Sequence, residues 1–171
     1  VIQRPASRYI AREMAISGAI NGALSIAFFL AVVGTDGPLP IWDLRNFALD
    51  LWPQSFAIGL MAALIPGLLC RRTIRRGALR SIDGSVPGVG LLMKRAAVSA
   101  VSAVGIGSFV VILGLWTAGL TQIGYAPAII FKALYGVILG AFVTWLTLSL
   151  LVETSAATDP NSTHTGDLGG R

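Results

Sequence analysis

Four apolar stretches, at about residues 10–33, 49–70, 96–118 and 128–152, take up most of this chain of 171 residues. Each has about the 20 residues that an α-helix needs to cross the hydrocarbon core of a bilayer. Backbone N–H and C=O groups find no water there, so such a segment must bond internally as a helix. Hydrophobic residues make up 54% of the chain and charged ones 12%, where a soluble domain carries about 25% charged. The expected fold is all-α: a polytopic membrane protein whose four transmembrane helices form a compact bundle over residues 1–153. Residues 154–171, rich in Ser, Thr, Gly, Asn and Asp, are expected to be a disordered cytoplasmic tail.

The basic residues are distributed unevenly about these spans. Arg4, Arg8 and Arg12 precede the first. Arg71, Arg72, Arg75, Arg76, Arg80, Lys94 and Arg95 lie between the second and third, and Arg171 follows the fourth. Only Arg45 and Lys132 fall on the other side. Positive residues are retained on the cytoplasmic side, so both termini are expected there, in a cell membrane such as the bacterial inner membrane. The net charge of +5 is thereby assigned to topology and anionic headgroups, and no nucleic-acid partner is expected. Arg71, Arg72, Arg75 and Arg76 are spaced to gather on one face of a helix running on to Arg80. They are the expected contacts for anionic lipid.

The connections have their own signals. Gly34 to Pro38 is a turn. Beyond it, Leu44, Phe47, Ala48 and Leu51 recur at helical spacing opposite Asp43, Asn46 and Asp50. This predicts a short amphipathic helix lying in the interface between the first two spans, with Trp42 and Trp52 at headgroup level and a break at Pro53. Pro66 lies inside the second span. Residues 81–90 read as a flexible turn. Aligning Arg12 with Arg95 also superposes Gly22 on Gly105, Ser25 on Ser108 and Leu30 on Leu113, a weak parallel repeat.

Every span carries small residues at four-residue spacing: Gly18 and Gly22; Gly59 and Gly67 about Ala63; Gly107 after Ser99 and Ala103; Gly136 and Gly140. In lipid, apolar surface alone does not drive helices together. Small residues let backbones approach so that dispersion and polar contacts accumulate, which makes these glycines the expected packing positions.

Polar groups within spans are candidates for function. Asn21, midway along the first span beside Ser17 and Ser25, suits either an interhelical hydrogen bond or coordination of a solute or ion. Lys132, near the outer end of the fourth span, is expected to snorkel to the interface. Glu13 is expected to pair with Arg12, its alternative being a proton-coupled site. Gln54, Tyr135 and Thr144 are lesser candidates.

Other chemistries lack their residues. The one histidine, His164, lies in the tail, so no span offers an imidazole to a haem or metal. The one cysteine, Cys70, permits no internal disulfide or thiolate cluster and is expected to be an apolar filler, with S-palmitoylation as the alternative. No P-loop, serine-nucleophile elbow or paired intramembrane carboxylate is legible, and Asn161-Ser162-Thr163 is a sequon expected to go unused. No cofactor and no catalysis are expected. The first apolar stretch is too long for a signal-peptide core and is expected to remain as a span. The leading expectation is an accessory or structural subunit of a membrane assembly, with a homo-oligomeric or membrane-protein partner. The alternative is a small-solute or ion transporter or channel acting as a homo-oligomer.

Overall fold

A computed structural model describes residues 6–33, 39–42, 47–48 and 50–152. Its helices are α1 (Ala6–Val33), α2 (Leu51–Arg75), α3 (Val89–Ser102), α4 (Phe109–Thr117) and α5 (Tyr125–Ser149). A π-helical turn, Ala103–Ser108, joins α3 to α4, so the two form one continuous span. Among the described residues, four helices are long and apolar enough to cross a membrane.

The helices overrun the apolar stretches at their basic ends. Arg, Lys, Leu and Met are good helix formers, so α2 continues past Cys70 and α3 begins before Ala96. The helix expected to reach Arg80 stops sooner. Gly77, at φ 71°, ends α2 by donating to Ile74 O at 2.9 Å, and the next N–H, of Ala78, reaches Thr73 O at 3.2 Å. This is a Schellman closure, and it needs a left-handed residue that glycine supplies without strain. Of the segment expected to be an interfacial helix, residues 43–46 and 49 lie outside the described residues. Of its described members, Ile41 and Trp42 form a bend, Phe47, Ala48 and Asp50 lie in turns, and Leu51 and Trp52 open α2. Pro53 falls in the first turn of α2, where its missing N–H has no partner to lose. The expected disordered tail, 154–171, also lies outside the described residues.

Short clasps tie the connections. Strand β1 (Leu39–Pro40) pairs antiparallel with β2 (Gln122–Ile123). Ile41 N–H donates to Thr121 O at 3.0 Å and the Trp42 indole to Leu120 O at 2.8 Å. At the basic end Ser81 bridges Val152, and Ile82 N–H donates to Leu151 O at 3.3 Å.

α1 lies mainly along α5, and α2 lies between α5 and the third span; α1 and α2 touch little. Where helices meet, glycines face the neighbouring helix closely. Gly59 lies against Ser99, Ala100 and Ala103; Gly18 and Gly22 against Val137; Gly107 against Tyr135 and Leu139. Gly136 and Gly140 lie against Asn21, while Gly67 is more loosely set beside Leu92 and Thr147. Apolar clusters sit at either end, one around Phe29, Ile41 and Phe47 and one around Ile10, Cys70 and Leu148. A smaller cluster of Ile58, Ala62, Ala63, Ala96 and Val143 lies on α2, α3 and α5.

Candidate functional site: a buried polar seam

Two rows of residues at four-residue spacing face each other along α1 and α5. On α1 the row is Tyr9, Glu13, Ser17, Asn21, Ser25 and Phe29, and on α5 it is Ala128, Lys132, Gly136, Gly140, Thr144 and Leu148; all are buried. Rows of this spacing form the ridges and grooves by which helices interlock. Here the ridge of α1 is largely polar and the groove of α5 is made by glycine.

The seam begins at Lys132. Its side chain is wholly buried rather than snorkelling to the interface. Nζ lies 2.7 Å from Asp50 Oδ2 and donates to Gln54 Oε1 at 3.0 Å. It also sits 4.8 Å from the centroid of the Phe47 ring. An ammonium has three N–H donors, and these contacts use them: a carboxylate, an amide oxygen and an aromatic face. Gln54 passes the chain on, its Nε2 donating to Ser25 Oγ at 2.7 Å, and Ser25 donates to Asn21 O at 2.7 Å. Asn21 Nδ2 bonds Ser17 O at 2.8 Å and Ser17 Oγ at 3.2 Å. Ser17 Oγ reaches Gly140 O at 3.3 Å. The single hydroxyl hydrogen of Thr144 has two acceptors within range, Ser17 Oγ at 2.7 Å and Ala62 O at 3.0 Å. One seam thus joins α1, α2 and α5.

A second knot holds the third span. Ser55 on α2 lies 3.0 Å from Ser108 Oγ and 2.6 Å from the Tyr135 hydroxyl, and Ser108 reaches Leu51 O at 3.3 Å. Ser108 closes the π-helical turn, which sets it toward α2.

Several residues sit differently from their sequence expectation. The side-chain hydrogen bonds of Asn21 stay within α1, and the ties between helices are made by its neighbours Ser17 and Ser25. Glu13 is buried on the same row, and among the described residues it forms no ion pair with Arg12. Of the four arginines from Arg71 to Arg76, Arg71 donates through Nε to Pro87 O at 2.8 Å, and Arg72 and Arg76 line a cavity shared with α1. Asp50 is not among the candidates in the sequence, because its spacing puts it on the wet face of an expected interfacial helix. A lysine within an apolar span was the available signal, since it calls for a counter-ion on its own side.

The seam fastens α1, α2 and α5 through side-chain and backbone hydrogen bonds. Gln54 offers an amide between Lys132 and Ser25, and Ser25 ends on a backbone carbonyl. Neither passes a proton without leaving its stable form. Asn21→Ala is expected to cost about 1 kcal/mol in thermal unfolding in detergent, because it removes the hydrogen bonds of Asn21 to Ser17 and the side chain that packs against Gly140. A fully stable Asn21→Ala that had lost a measurable ion or solute flux would contradict the fastening role.

Among the described residues, no group of three or more His, Cys, Asp or Glu is placed to hold a metal ion. Comparison with protein-family models, with curated proteins and with solved structures finds no match to this chain.

Proposed function

We propose that this chain is a non-catalytic integral membrane protein, a compact four-helix bundle that serves as an accessory or structural subunit of a membrane assembly. The observation that carries the reading is the closure of the seam: its polar groups are spent on one another and on backbone carbonyls, across helices held in contact at Gly136 and Gly140. A bundle so closed offers a solute no width. Its remaining resource is its exterior. The third span turns Val101, Ile106, Phe109, Val110 and Trp116 outward, each more than 60% exposed, a face suited to lipid or to a partner's helix. Both termini are assigned to the cytoplasmic side on the Lys/Arg asymmetry, with anionic lipid about the basic ends.

A second reading, a small-solute or ion transporter working as a homo-oligomer, draws on the Lys132–Asp50 pair. Ionisable groups within spans mark transport pathways more often than they mark scaffolds. One preparation separates the two readings. The full chain, tagged after Arg171, is purified in mild detergent. The subunit reading expects stoichiometric foreign membrane proteins to co-purify, with the tag accessible to protease only in inside-out vesicles. A pure homo-oligomer that carries ions or solutes in liposomes would overturn it.

A further inference from the structure

Between the basic ends of α1 and α2, where the two helices make few contacts, lies a cavity of about 400 Å³. Tyr9, Arg12 and Glu13 line it from α1, and Arg72, Thr73 and Arg76 from the end of α2. Its volume is within the range of small-ligand sites. Three guanidinium groups face one carboxylate, which leaves the cavity positive. Among the described residues, no carboxylate lies within ion-pair distance of Arg12, Arg72 or Arg76. Inside it is a donor with nothing to bond: the Tyr9 hydroxyl is buried and has no hydrogen-bond partner among the described residues. Thr73, its neighbour in the wall, donates to Leu69 O at 2.9 Å and makes no hydrogen bond with the Tyr9 hydroxyl. A buried hydroxyl left unpaired costs free energy, and a ligand oxygen would recover it.

We propose that this cavity binds a phosphate ester. Guanidinium forks match phosphate oxygens in pairs, and three of them converge from two helices. The Tyr9 hydroxyl would donate to a further oxygen. Glu13 makes the site choosy: a carboxylate repels bare phosphate but accepts from a hydroxyl or ammonium carried beside it. The ligand class is therefore a phosphate ester with an adjacent hydrogen-bond donor, whether the headgroup of a lipid or a water-soluble ester. Two of the four arginines expected to touch lipid broadly thus belong to a defined site, completed by α1. The site stands independently of the subunit reading.

The test titrates the full chain in detergent with phosphatidylglycerol and counts bound lipid by native mass spectrometry. Arg12→Gln with Arg76→Gln removes two charges from the cavity. Arg75→Gln with Lys94→Gln removes two charges near the same end but outside its wall. The cavity pair is expected to weaken binding at least about tenfold and the control pair by no more than about twofold. Tyr9→Phe is expected to weaken binding about threefold while leaving thermal stability equal or higher, because the hydroxyl makes no bond within the protein. That variant keeps the test informative if the double variant fails to fold. Competition by millimolar glycerol phosphate would identify a water-soluble ester as the ligand; none would identify the lipid. Equal losses in both double variants, or no loss in either the cavity pair or Tyr9→Phe, would overturn the proposal.

Discussion

Lys132→Met is expected to destabilise this protein by about 3–5 kcal/mol, because it leaves the Asp50 carboxylate buried without its cation. The Asp50 side chain is 8% exposed and that of Lys132 0%, so neither can recover by turning to water. The loss would spread, since Gln54 Oε1 would forfeit its donor and the ring of Phe47 its cation. Asp50→Asn alone should be similarly harmful, stranding the ammonium instead. The two together should restore most of the loss. A buried pair replaced by neutral groups of similar shape is often no less stable, the cost lying in the orphaned charge. Thermal unfolding of the four proteins in one detergent checks this as a double-mutant cycle. A single variant as stable as the parent would mean that Lys132 does not depend on Asp50.

Gly136→Leu should be at least as damaging, at about 3 kcal/mol or more. A Cβ on Gly136 would meet Ser25 Oγ and lie 2.6 Å from the backbone oxygen of Asn21. Ser25 could rotate, at the expense of its bond from Gln54, but the backbone of α1 cannot. Even Gly136→Ala should push α1 from α5 and loosen the seam. Gly114→Ala is the matched control. Nothing lies within 4 Å of its added methyl, and alanine is worth about 1 kcal/mol over glycine in a helix interior, so that variant should unfold no earlier than the parent. Equal stability of Gly136→Ala and Gly114→Ala would remove close helix approach as the reason for glycine at 136.

The spans were legible from hydropathy because a bilayer tolerates few alternatives to a long apolar helix. Their ends were less so: hydropathy reports where apolar residues stop, whereas α2 stops where Gly77 can take a left-handed turn. The seam was legible in fragments. Ser17, Asn21 and Ser25 share a face by spacing alone, and extending the same count backward gives Glu13 and Tyr9. What spacing cannot give is the partner, because that depends on how each helix is rotated against the next. Hence Gln54 and Lys132 stood in the sequence as separate candidates rather than as links of one chain with Ser25. Asp50 was hidden for another reason, its segment having a plausible solvated alternative. The cavity at Tyr9 was invisible for want of any distance between α1 and α2.

The π-helical turn has a geometric consequence of its own. An α-helix advances about 100° per residue, so along a regular helix Ser108 and Leu115 would point about 80° and 60° away from Ala100. A π turn accommodates an additional residue, which takes back about 100° and brings both within about 40° of Ala100 on its other flank. Leu92, Ala96, Ala100, Ser108 and Leu115, all buried, can then lie along one side of the span from end to end. The turn works as a phase corrector: it resets a drifting face midway, so that a helix of 29 residues stays in step with its neighbours without having to coil around them.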